Sequence, residues 1–126
     1  GHTAGHVAYQ VNEHLFLGDT LFLSSCGRVF SGDYDAMFHT FEEIKKLDED
    51  TIVYPAHEYS LSNLEQTAKA YPSEAVKEEL ARVRKLREAG KVTLPTTIKK
   101  EKAVNPFLNF DDVKSFKAYR ELRDRT

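Results

Sequence analysis

Apolar and polar residues alternate near the start of the chain, then the apolar ones recur at helical intervals, and this change of period divides the chain in two. His6-Val7-Ala8-Tyr9-Gln10-Val11 and His14-Leu15-Phe16-Leu17 are strand-like runs, joined by a turn at Asn12-Glu13. The second run leads into Gly18-Asp19-Thr20. Across residues 33–47 the apolar residues Tyr34, Met37, Phe38, Phe41, Ile44 and Leu47 return every three or four positions, which predicts a helix with Asp33 as its N-cap. Thr51-Ile52-Val53-Tyr54 is β-branched and stops at Pro55, which has no N–H to give to a ladder. It therefore predicts a strand that delivers its end to a loop. From Ser60 onward the pattern is helical. Leu61, Leu64, Thr67 and Ala68 mark one amphipathic stretch closed by Tyr71-Pro72, and Val76, Leu80, Val83 and Leu86 mark a second, opened at Ser73 and stopped by Gly90. Thr93-Leu94-Pro95-Thr96-Thr97 reads as a linker, Asn105-Pro106-Phe107 as a turn, and residues 111–125 as a basic helix. No internal repeat or low-complexity tract interrupts this order.

Composition narrows the class. With 40% hydrophobic and 30% charged residues the 126-residue chain has the balance of a folded globular protein. Eighteen basic against twenty acidic side chains give a net charge of -2 and no overall argument for nucleic acid. The longest apolar runs, Leu15-Phe16-Leu17 and Leu21-Phe22-Leu23, are far too short to span a bilayer. A single cysteine, Cys26, excludes an internal disulfide and suits a reducing compartment. Gly1-His2-Thr3-Ala4-Gly5-His6 stands at the very start with neither an initiator Met nor a signal-peptide pattern, as expected of a chain cut from something longer.

Three short segments carry metal-binding chemistry: His2 before a strand, and Asp19 and His57 in loops at strand ends. Imidazole suits zinc and iron, and a carboxylate can bridge two divalent ions. Two histidines and an aspartate are only part of a two-metal ligand set. On spacing alone, ordinary surface or core histidines and a turn aspartate explain these residues at least as well. His14 and His39 belong to no motif and are read as structural. Arg120 and Arg123 lie three apart on the last helix and share a face, which suits either a carboxylate clamp or, more commonly, a solvated charged face. Cys26 with a histidine base is a further, weakly supported nucleophile.

The ordered set Gly-His-Thr-x-Gly-His, Gly-Asp-Thr-Leu-Phe, Cys-Gly, His-Glu-Tyr, Asn63-Leu64, Pro95-Thr96-Thr97 and Asn105-Pro106-Phe107 resembles the second half of a glyoxalase II (hydroxyacylglutathione hydrolase), of the metallo-β-lactamase-fold superfamily. The resemblance covers essentially the whole chain. It implies an α/β fold: the second half of a metallo-β-lactamase αββα sandwich over residues 1–60, then a helical glutathione-binding domain over 61–126. It implies His2, Asp19 and His57 as metal ligands, with Asp19 bridging two divalent ions and serving as the catalytic residue, and His6 as a supporting residue. Zinc is the expected metal, with iron or manganese as alternatives. Arg28, Phe30, Tyr59, Arg120 and Arg123 are the implied substrate-binding residues. Arg28 and Arg123 stand where the family usually has lysine, and Phe30 where it usually has tyrosine. The implied reaction is hydrolysis of a glutathione thioester, typically S-D-lactoylglutathione, by a metal-bound hydroxide, in a cytoplasmic or mitochondrial-matrix monomer with no nucleic-acid or membrane partner. The family's Thr-His-x-His-x-Asp-His loop, which supplies the other four ligands, is absent from this sequence, so the chain by itself is expected to have little activity. Two rivals stand beside this reading: an inactive substrate-binding or structural fragment, and a mononuclear iron sulfur dioxygenase, whose relatives lack the helical extension.

Overall fold

The computed structural model describes residues 9–125. Strand β1 (Tyr9–Val11) turns back through Asn12, whose φ of +54° lies in the left-handed region that asparagine tolerates, and pairs antiparallel with β2 (His14–Gly18). Helix α1 (Tyr34–Lys45) then carries the chain across to β5 (Ile52–Pro55), which lies parallel to β2 with Leu15 opposite Val53. Between β2 and α1 a small separate hairpin forms from β3 (Leu21–Phe22) and β4 (Ser25–Cys26). The predicted helix across residues 33–47 is thus present, and Asp33 caps it by accepting the Ala36 N–H at 2.9 Å.

Helices α2 (Ser60–Ala70) and α3 (Glu74–Glu88) follow as the sequence predicts, with Ser73 capping α3 through the Val76 N–H. The linker reading of residues 93–97 is corrected. Thr96–Thr97 form β6, which pairs antiparallel with Ile52 and Val53 and completes a sheet of order β1-β2-β5-β6. Two residues are too few to show a period, so the pairing partner alone makes this a strand. Thr97 also caps α4 (Ile98–Val104), which the apolar pattern did not predict because its inward face is Ile98, Glu101 and Val104. A 3-10 turn (Pro106–Leu108) precedes α5 (Val113–Asp124), capped by Asp112.

The larger core takes residues from both sides of position 60. Leu15, Leu17, Met37, Phe41 and Val53 meet Phe107, Phe116 and Tyr119, and Phe41, Phe107 and Phe116 pack edge to face. A smaller core of Leu23, Leu64, Val76, Leu80, Val83 and Val104 lies among the helices.

A buried polar network ties the β3–β4 hairpin to the helices. Fully buried Glu101 accepts from the Ser24 N–H (2.8 Å), the Asn105 side-chain amide (3.0 Å) and the Thr96 hydroxyl (2.8 Å). Ser24, at φ +65°, reaches Thr67 and the Val104 carbonyl, and Asn105 donates to the carbonyls of Phe22 and Ser25. Burial pushes the Glu101 carboxyl up from 4.5 to about 7, against the pull of these three donors. Between those values the folded protein keeps a proton that the unfolded chain has released, so this group's contribution to stability falls as pH rises from about 4.5 to about 7. Glu101→Gln is therefore expected to lose that part of the pH dependence. Urea midpoints of the two proteins, compared at pH 5 and pH 7.5, check this. Parallel shifts in both would refute it.

Candidate functional site

The site is built on the adjacent ends of two parallel strands. Gly18, at φ +56°, lets β2 turn sharply, so that Asp19 stands just past the strand end. The Ala56 N–H donates to the Gly18 carbonyl at 2.9 Å, holding the loop after β5 against the loop after β2. His57 Nε2 consequently lies 3.0 Å from Asp19 Oδ1, with both side chains partly open to solvent. The His57 ring stacks on Tyr59 (centroids 5.0 Å apart, planes at 13°), and Phe22 from the hairpin meets the Tyr59 ring edge-on at 5.1 Å. Asp19, Phe22, Arg28, Phe30, His57 and Tyr59 together line a recess of about 260 Å³.

A second recess of about 290 Å³ adjoins the first and shares Phe22, Arg28 and Tyr59 with it. Its other walls include Cys26, Asn63, Arg120 and Arg123. Arg120 is 6% exposed; it donates to the Cys26 carbonyl and sets its Nε 3.0 Å from Asp124 Oδ1. The same carboxylate oxygen lies 3.7 Å from Arg28 Nε. Arg123 donates from Nη2 to Asn63 Oδ1 at 3.2 Å, and burial holds its guanidinium below the ordinary arginine value. Three cationic groups thus face one recess, with Asp124 offsetting part of their charge.

Asp19 and His57, 38 residues apart in sequence, are side by side; Arg28, Phe30 and Tyr59 join them, and Arg120 and Arg123 line the adjoining space. His2 and His6 lie outside the described residues. Among the described residues no group of three His, Cys, Asp or Glu side chains is placed to hold a metal ion. His14 shares a 2.9 Å hydrogen bond with the Tyr54 hydroxyl, and exposed His39 lies 3.8 Å from Glu43, in keeping with the structural reading of both. The structure offers no support for Cys26 as a nucleophile. Its thiol is buried, and burial pushes it up to about 12 despite the neighbouring Arg120.

Sequence reasoning missed the support behind His57. Glu58 accepts from the Ser60 hydroxyl (2.6 Å), the Thr93 hydroxyl (2.6 Å) and the Thr93 N–H. Burial alone would push the Glu58 carboxyl up, but the Ser60 and Thr93 donors outweigh it and hold the group below the usual carboxylate range. Its place between His57 and Tyr59 was the one available signal; the partner, 35 residues on, left none.

The family profile "Hydroxyacylglutathione hydrolase C-terminus" matches residues 58–126, and that of the "Metallo-beta-lactamase superfamily" matches residues 1–57. A hydroxyacylglutathione hydrolase of Haemophilus ducreyi is 45% identical over 99% of this chain and 54% of its own length. One from Actinobacillus pleuropneumoniae is 47% identical over 98% of the chain and 54% of its own length. One from Aliivibrio salmonicida is 46% identical over 86% of the chain and 43% of its own length. The chain spans about half the length of the curated relatives it matches.

Proposed function

The chain belongs to the hydroxyacylglutathione hydrolase family, and on that premise we propose that the intact protein hydrolyses S-2-hydroxyacylglutathione, S-D-lactoylglutathione first among them, to glutathione and a 2-hydroxy acid. The observation that carries this reading is the adjacency of the two recesses. A carboxylate–imidazole pair lies beside a space lined by three arginines, with Phe22, Arg28 and Tyr59 common to both walls.

The donor set suits a divalent cation. Asp19 Oδ1 and His57 Nε2 stand 3.0 Å apart at an open recess, and carboxylate with imidazole is a pairing that zinc, iron and manganese all accept. Asp19 and His57, with His2, are the residues of this chain that would hold two such ions, zinc in the first instance. Held there, divalent ions would supply a bound water of lowered pKa and polarisation of the thioester carbonyl. The chain's own residues do the rest. Arg28 and Arg123, with Arg120 behind them, receive the carboxylates of the glutathione moiety. Tyr59 stands where the two recesses meet and orients the thioester, and Phe30, 67% exposed, supplies an apolar wall for the acyl end. A thiolate leaves readily, so no dedicated general acid is required. The division at residue 60 is proposed as one of role, with metal held mainly by 1–60 and glutathione gripped mainly by 61–126, rather than as a break in the core. A cytoplasmic monomer fits the reduced Cys26, and no helix among the described residues is long and apolar enough to cross a membrane.

The direct test is release of glutathione from S-D-lactoylglutathione by the full-length protein with zinc supplied. No turnover would reject the proposal. Arg123→Ala in that protein is expected to raise KM about ten- to hundredfold with kcat little changed, since a charge-assisted contact of about 1.5–3 kcal/mol would be lost equally from ground and transition states. A small thioester without the glutathione carboxylates should be unaffected. An equal collapse of kcat for both substrates would remove Arg123 from substrate recognition.

A further inference from the structure

We propose that Glu58 is a positioning residue, acting through Thr93 and Ser60 to present His57 and Tyr59 to the site; this rests on the functional reading above. Residues 56–59 form the short link between β5 and α2, and along it the side chains of His57, Glu58 and Tyr59 diverge. The rings of His57 and Tyr59 stack on one another and both meet Phe22. The Glu58 side chain instead engages Thr93 and Ser60, which are 4% and 1% exposed. Its two carboxylate oxygens take both donors of Thr93 and the hydroxyl of Ser60, while the Thr93 hydroxyl also lies 2.8 Å from Ser60 Oγ.

The consequence is geometric. One end of the link is fixed by the Ala56–Gly18 bond beside Asp19, and α2 begins at Ser60. Without the Glu58 anchor the two residues that face the site would be held between those points only by the contact of His57 with Asp19 and by their ring contacts with Phe22. With it, the His57 ring is held where Nε2 reaches Asp19. Thr93 leads into Pro95 and β6, which is itself paired to β5, so the anchor joins the loop to a segment already fastened to the sheet. Charged acceptors bonded to several donors are among the stronger hydrogen-bonding arrangements, and one that fixes a ligand's orientation acts on the site without touching substrate.

The test uses the full-length protein with Glu58→Ala, Glu58→Gln, Thr93→Val and the Glu58→Ala/Thr93→Val double variant. Partners that orient a metal ligand typically contribute about tenfold to hundredfold. Glu58→Ala is expected to lower kcat/KM for S-D-lactoylglutathione by that factor, and to release zinc to a competing chelator at correspondingly lower chelator concentration. Glu58→Gln keeps an acceptor for Thr93 and should recover most of both. Thr93→Val, nearly isosteric, should show part of the loss, and the double variant should be no worse than Glu58→Ala, because both changes break one contact. Unchanged zinc retention and kcat/KM in Glu58→Ala and Thr93→Val would overturn the proposal. So would losses that only follow the folded fraction, with no rescue by glutamine. If the unsubstituted protein proves inactive on glutathione thioesters, the functional reading fails, and zinc retention across the same variants still decides the role of Glu58.

Discussion

Replacing His57 with alanine in the full-length protein is expected to lower kcat/KM for S-D-lactoylglutathione by more than about a hundredfold. Residues that merely orient a metal ligand are worth about tenfold to hundredfold, and His57 is proposed as a ligand itself, so its loss should exceed that range. The imidazole is half exposed at the recess, so its removal leaves no large buried cavity and the thermal midpoint should move little. Activity and stability are thereby separable. The measurement is turnover alongside metal content and melting temperature. A variant that keeps its metal and stays within about tenfold of the parent would remove His57 from the ligand set.

The second large effect concerns stability. Glu101→Ala should destabilise the protein by about 3 kcal/mol, because it strands the Ser24 N–H and the Thr96 hydroxyl in the interior and takes from the Asn105 amide one of its three acceptors. Each buried donor left without a partner costs about 1–3 kcal/mol, and small relaxations recover only part of that. The hairpin bearing Phe22 and Cys26 is the element released, so loosening should appear first there. Hydrogen exchange of the Ser24 and Cys26 amides, with urea unfolding for the total, gives the check. A loss under about 1 kcal/mol would show that the network is dispensable.

The elements with a long period were legible from sequence. α1, α2, α3 and α5 each repeat an apolar face over eleven residues or more, and Asp33 and Ser73 announce their caps. β6 and α4 were hidden for opposite reasons: the strand is two residues long, and the helix turns a carboxylate inward among Ile98 and Val104. In the candidate site, Asp19, His57 and the arginines could be singled out from sequence because motifs mark them. The sequence did not reveal that Arg120 is buried, holding the Cys26 carbonyl and Asp124, since a charge run looks alike whether solvated or enclosed. Nor could it show that Thr93 supports residue 58, because hydrogen bonds between distant loops leave no period.

The contact between Arg120 and the Cys26 carbonyl joins residues 94 apart in the chain. Phe116 and Tyr119 enter the same core as Leu15 and Leu17 from the far end of the sequence. During synthesis, then, the parallel strands can pair and α1 can cross between them well before the last helix leaves the ribosome. The wall of the recess that bears Cys26 and Arg28 waits for that helix. Until it docks, the nascent polypeptide carries an uncovered apolar surface around Phe41 and Phe107, the kind of exposure that makes slow, non-local assembly prone to aggregation. The part of the candidate site lined by Arg120 and Arg123 is thus the last to be completed, however early the strand ends are in place.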